Sequence, residues 1–116
     1  MKKIFTLSAV FFLLLSSVNA QKADGSIKGK LTDSTGKQPL NGATVSVINS
    51  KDSSLATFTL SNKQGSFEIK GLEQGNYQLV VSFQGYETLK KVVSISATAK
   101  AVDLGDLIVQ KEYKTL

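Results

Sequence analysis

One short phrase occurs twice in this chain, ten residues apart: Gly65-Ser66-Phe67-Glu68-Ile69 and Gly75-Asn76-Tyr77-Gln78-Leu79. Each copy runs glycine, small polar residue, aromatic, polar residue, aliphatic, which is a turn residue followed by the start of a period-two strand. A helix would need its apolar residues three and four apart, and no stretch after residue 20 has that spacing. The pair reads as two adjacent strands of one antiparallel sheet, so the chain is committed to β architecture from its centre outward.

Short alternating segments of the same kind flank the phrase. Residues 26–33 place Ile27, Gly29 and Leu31 on one face and Lys28, Lys30 and Thr32 on the other. Residues 43–48 turn Ala43, Val45 and Val47 inward, and in residues 55–60 Ala56, Phe58 and Leu60 share a face. Phe67 and Ile69 mark a fourth strand, and Tyr77, Leu79, Val81 and Phe83 a fifth. Residues 86–95 form a sixth, less regular strand, and residues 104–109 a seventh. The loop 34–42 holds the only proline, while Gly65, Gly71, Gly75 and Gly85 fall where strands end and supply turns. Seven short strands in about 85 residues predict an all-β fold, a seven-stranded Greek-key β-sandwich. A membrane-spanning barrel does not suit them, since it needs about 9–11 residues per strand and no lysine against lipid.

The N-terminus has a separate logic. Met1-Lys2-Lys3 is basic, residues 4–18 are uncharged and largely apolar, and Val18-Asn19-Ala20 ends in a small residue. This predicts a helical signal peptide over residues 1–20, cleaved before Gln21. The apolar run is shorter than the ~20 residues of a spanning helix, so no membrane span is expected in the mature chain. The expected organisation is then a short lead at 21–25, a sandwich over 26–110 and a tail or linker at 111–116. Such a leader implies export. The chain has no cysteine, so an exported domain must hold together by burial alone.

Composition removes most chemistries. All 14 basic residues are lysine, scattered and often alternating with apolar residues, which suits a soluble sheet surface better than nucleic acid. Without histidine or cysteine there is no Ser–His or Cys–His nucleophile pair and no ordinary zinc or copper site. The nine acids are spread along turns and outward strand positions, where solvated surface charge is their expected role. Asp103-Leu104-Gly105-Asp106 is too sparse for a calcium loop and reads as a turn before the last strand. The expectation is no catalytic residue, no metal and no cofactor. Among the aromatics, Phe67, Tyr77 and Phe83 are in phase with the core, which leaves Tyr86 and Tyr113 as candidates for stacking on a sugar.

The ordered set Gly29-Lys30-Leu31-Thr32-Asp33, Pro39-Leu40-Asn41-Gly42-Ala43-Thr44-Val45, Asn62-Lys63-Gln64-Gly65-Ser66-Phe67, Leu72-Glu73-Gln74-Gly75-Asn76-Tyr77 and Gly85-Tyr86-Glu87 resembles the carboxypeptidase regulatory-like domain. The resemblance covers about residues 26 to 110. It implies a transthyretin-like, or prealbumin-like, sandwich grouped with carbohydrate-binding-like folds, and no peptidase activity. One turn departs from it: Asn62-Lys63-Gln64 stands where many members carry an aspartate, which removes acidic ligands there. In exported bacterial proteins such domains commonly precede the plug and barrel of TonB-dependent outer-membrane receptors. The resemblance therefore implies a non-catalytic periplasmic interaction or assembly module. Its protein partner would be the plug or barrel of its own receptor, or a TonB-system component. The chain would be a fragment of such a receptor or a free-standing periplasmic sandwich; a carbohydrate-binding module is the alternative. The expected partner contacts lie in the loop 35–42 and the turn 85–87, at Thr35, Lys37, Asn41, Tyr86 and Glu87.

Overall fold

The computed structural model describes residues 23–112, so the signal peptide expected at 1–20, and Tyr113 with the rest of the tail, lie outside the described residues. Seven strands run in the order β1 (Gly25–Asp33), β2 (Thr44–Asn49), β3 (Leu55–Leu60), β4 (Ser66–Leu72), β5 (Gly75–Ser82), β6 (Leu89–Ile95) and β7 (Ala101–Val109). They form two sheets, β4-β1-β7 and β3-β2-β5-β6. All pairings are antiparallel except β1 with β7, which is parallel. No helix among the described residues is long and apolar enough to cross a membrane.

Alternation along the strands decides what meets between the layers. β1 sends in Ile27 and Leu31, β2 sends in Val45 and Val47, and β5 sends in Tyr77, Leu79 and Val81, none more than 5% exposed. On either side of β1 in its own sheet, β4 adds Phe67, Ile69 and Leu72 and β7 adds Leu107 and Val109. Each fully buried side chain of this size is worth about 1.5–3 kcal/mol. A serine closes the core at one end. Ser61, 4% exposed, donates through Oγ to the Leu40 carbonyl at 2.6 Å and accepts the Ala43 N–H at 2.9 Å. Its own N–H donates to the Ala43 carbonyl at 3.0 Å and its carbonyl accepts the Gly42 N–H at 2.9 Å. A buried polar residue fully satisfied in this way fixes the approach of the β1–β2 loop and seats Leu40 in the core. Beside it Gly65 has φ +77°, and a Cβ there would run into the Leu31 carbonyl oxygen.

Three features depart from the sequence expectation. The doubled phrase is not a hairpin, because β4 and β5 lie in different sheets. The register against β1 shifts between the pairs Ile27–Ile69 and Gly25–Leu72. Ile69 and Leu72, three apart, consequently both face the core, and the chain crosses to the other layer through Glu73 and Gln74. Tyr77 Oη donates to the Glu73 carbonyl at 2.7 Å and holds that corner. Second, the shared face of Phe58 and Leu60 points outward: they are 60% and 58% exposed, and Leu55 is 57% exposed. Thr57 pairs with Val47, which is wholly buried, so the inward face of β3 is that of the half-buried Thr57 and Thr59. Third, residues 103–106 are no turn before a strand but a bulge inside β7, where Lys28 pairs with Asp103 and Lys30 with Asp106. Gly105 has φ +65°, and its N–H donates to Asp103 Oδ1 at 2.9 Å.

The orientation of β3 can be checked by urea denaturation. Leu79→Ala is expected to cost about 2–5 kcal/mol, as a cavity in a packed core does. Phe58→Ala, on the outward face, is expected to cost about 1 kcal/mol or less. Equal losses would place Phe58 inside.

Candidate functional site

The strand directions gather the β1–β2, β3–β4 and β5–β6 loops at one end of the sandwich, together with the segment after β7. Asp33, the last residue of β1, ties the β1–β2 loop to the β5–β6 loop. Its phase is that of Ile27, Gly29 and Leu31, so it turns inward and is only 7% exposed, not the solvated surface acid expected from the sequence. Asp33 Oδ1 accepts the Thr35 N–H and the Thr35 hydroxyl, each at 3.0 Å. Asp33 Oδ2 accepts the Tyr86 hydroxyl at 3.0 Å, across 53 residues of sequence. Its main chain is engaged as well: the N–H donates to the Gln38 carbonyl at 2.8 Å and the carbonyl accepts the Lys37 N–H at 3.1 Å.

These bonds set the electrostatics. The Thr35 amide holds the Asp33 carboxyl below its usual range, outweighing the opposing effect of burial; the Tyr86 and Thr35 hydroxyls and the charge of Lys111 act in the same direction. Burial, followed by the bond to Asp33, pushes the Tyr86 phenol up, so it stays a donor at neutral pH. The Tyr86 ring packs on Phe83 with centroids 5.5 Å apart at a 55° tilt.

Thr35 and Tyr86 are thus brought together, each through a hydroxyl on the same carboxylate. Lys37 is exposed in the same turn, with φ +52°. Glu87 is exposed beside Tyr86, and its N–H donates to the Gln110 carbonyl at 2.8 Å. The Glu112 N–H donates to the Gly85 carbonyl at 2.9 Å, and Tyr86 bridges Lys111, so residues 110–112 run antiparallel to residues 85–87. Asn41 is exposed in the β1–β2 loop, next to the Gly42 that Ser61 holds. Asp33 is the residue that matters most here, and its phase along β1 was the signal for it.

A second concavity, an open groove of about 450 Å³, lies along β1, β4 and β7 and is lined by Lys28, Lys30, Glu68, Asp103 and Asp106 among others. Its charges compensate one another, as in the Lys28–Asp103 pair at 3.9 Å with both partners mostly exposed. Such a pair contributes little and selects neither an anion nor a cation. Among the described residues no group of three His, Cys, Asp or Glu side chains is placed to hold a metal ion.

Because the Asp33 carboxyl is lowered in the folded state, its stabilisation is fully present above the ordinary carboxylate range and is lost as pH falls below that range and through the lower value of the folded chain. The melting temperature of the native chain is expected to fall more steeply between about pH 5 and pH 2 than that of Asp33→Asn, with Tyr86→Phe between them. Parallel pH profiles for the three proteins would show that the clamp has no energetic role.

Comparison with known proteins places this geometry. Solved structures similar to the chain include the pilus 2b backbone protein of group B streptococcus, at 24% identity and TM-score 0.58 over 76% of this chain and 41% of that one. Another is BcpA, the major pilin subunit of Bacillus cereus, at 19% identity and TM-score 0.62 over 78% and 31% of the two chains. A third is the 5-hydroxyisourate hydrolase of Klebsiella pneumoniae, at 15% identity and TM-score 0.57 over 74% and 86%. The chain therefore spans less than half the length of either pilin. Pilin subunits and an enzyme share this transthyretin-like sandwich, so the fold alone does not carry an activity. No curated protein sequence matches the chain. The sequence profile of the carboxypeptidase regulatory-like domain matches residues 26–105, from the second residue of β1 into the bulge of β7, and the chain belongs to that family.

Proposed function

We propose that the domain is a non-catalytic interaction module of the cell envelope, carried at the N-terminus of a TonB-linked outer-membrane uptake protein and facing the periplasm. The observation that carries this reading is the course of the chain at the loop end. Because β1 and β7 are parallel, the chain comes in at one end of the sandwich and leaves at the other. Residues 110–112 leave stitched to residues 85–87, beside Thr35, Lys37, Tyr86 and Glu87. A plug or barrel joined beyond that point would meet these residues first. The polar groups here hold the loops, as a binding scaffold requires: both oxygens of Asp33 are hydrogen-bonded within the β1–β2 turn and to Tyr86. A TonB-system component is the other partner consistent with this placement. No observation favours the carbohydrate-binding alternative: the ring of Tyr86 packs on Phe83 and its hydroxyl is taken by Asp33.

Two measurements test the proposal. A fusion of residues 1–116 to a leaderless β-lactamase is expected to give periplasmic activity, with the mature N-terminus at Gln21, and deletion of residues 2–20 is expected to abolish it. Retention of residues 1–20 in a cytoplasmic product would sink the envelope placement. The coding sequence beyond Leu116 is expected to encode a plug and barrel; an immediate stop would sink the receptor linkage while leaving export intact.

A further inference from the structure

The two sheets end in four edge strands, β3 and β6 in one and β4 and β7 in the other. Three of them carry charged side chains, which keep sheet edges from pairing. β6 has Lys90 and Lys91, β7 has Asp103, Asp106 and a bulge, and β4 has Glu68 and Lys70. β3, with the sequence LATFTL, has no charge, no proline and no glycine, and its one irregularity is at Ala56, where the register against β2 shifts between the pairs Thr57–Val47 and Leu55–Ile48 and leaves residues 57–60 regular. It also turns its apolar side the wrong way for a sandwich that stands alone, with threonines inward and Leu55, Phe58 and Leu60 more than half exposed. The cross-strand register extends that apolar face, since Phe58 lies beside Ser46 and then Val80, and Leu55 beside Ile48.

The backbone of β3 is set for another strand. The Ser61 N–H donates to the Ala43 carbonyl, so the pairs Thr59–Val45 and Thr57–Val47 are those whose peptide groups turn toward β2. The N–H and C=O groups of Phe58 and Leu60 then point to the open edge.

We propose that β3 is a self-recognition edge, through which two copies of the domain pair antiparallel about a two-fold axis between their Phe58 residues, joining two four-stranded sheets into one of eight. The strand is its own complement in this register. Over the regular stretch 57–60, centring on Phe58 sets Thr57 against Thr59 of the second copy and keeps Phe58 and Leu60 on one face, with Leu60 reaching the irregular position Ala56. The turn holding Lys51 and Asp52 then approaches the turn holding Lys63 of the second copy, so that Asp52 meets Lys63 at both ends with Lys51 beside it. Of all edge pairings between two copies, this is the one that meets no charge along the strand. It goes beyond the envelope reading and does not require it. Three half-exposed large side chains per copy offer roughly 700 Å² in total, short of the ~1,200 Å² at which stable complexes begin, so the dimer is weak and reversible.

The test uses residues 21–116, which contain the whole core from Ile27 to Val109. In sedimentation equilibrium the weight-average mass is expected to be that of a monomer at ~10 μM and to approach twice that value at ~1 mM, the range of a weak transient contact. Phe58→Lys is expected to stay monomeric throughout with an unchanged melting temperature, while Ile108→Lys, on the exposed face of β7, keeps the association. On dilution of the native chain, amide chemical shifts are expected to move in β3 and β2 and to stay fixed in β6 and β7. A monomer at ~1 mM, an association that Phe58→Lys leaves intact, or shifts that move at another edge would each overturn the proposal, and the shift map decides even if a variant fails to fold.

Discussion

Everything else in this domain depends on the layer of Ile27, Leu31, Val45, Val47, Leu79 and Val81, each no more than 1% exposed, packed between two sheets. With no disulfide and no metal cluster among the described residues, apolar burial is the source of cohesion, and it has to offset the entropy of ordering the strands. That requirement explains where the polar residues go. Asp33 and Ser61 are the buried polar side chains, and each sits at a margin of the core where a loop must be brought down onto it. Ser61 seats Leu40, and Asp33 holds the β1–β2 turn to the β5–β6 loop. No buried side-chain nitrogen or oxygen among the described residues lacks a partner, so neither of these polar contacts costs the core an unmet hydrogen bond.

The loop end owes its shape to that bonding. Two hydroxyls and an amide converge on one carboxylate, and residues 110–112 lie against residues 85–87 as a short extra ladder. A surface built in this way is ordered before any partner arrives, so less freedom is lost on contact than with free loops. Thr35 and Tyr86 supply this order, while Lys37, Asn41 and Glu87 remain exposed.

Much of the fold was legible in the sequence because alternation is a local property. The inward sets of β1, β2 and β5 come from counting by two, and Asp33 could have been read the same way, since it continues the series Ile27, Gly29, Leu31. What alternation does not carry is pairing. The doubled phrase announces two strands that face the core, and it holds equally for a hairpin and for strands in opposite layers; the register shift opposite Gly25 and Ile27 decides, and it depends on β1, about forty residues away. The parallel partnership of β1 with β7 is equally non-local. β3 misleads for a different reason: its apolar residues alternate correctly, but the register with Val47 turns them outward. A helical or metal-binding domain would have left stronger marks of its site; here the contact surface is made of ordinary loop residues whose meaning comes only from their neighbours in space.

The two contact surfaces constrain each other. Antiparallel pairing through β3 sends the loop ends of two copies in opposite directions, whereas copies tethered to one membrane through their loop ends must both point toward it. A linker on one copy reconciles them if it can run back along the sandwich. The longest strands have nine residues, about 30 Å at 3.3 Å per residue, and an extended linker covers that distance in roughly nine to ten residues. A shorter connection confines pairing to untethered copies and leaves the loop end as the working surface. With a longer one, β3 can join neighbouring copies while Lys37, Asn41 and Glu87 stay turned toward the plug or barrel of the proposed receptor.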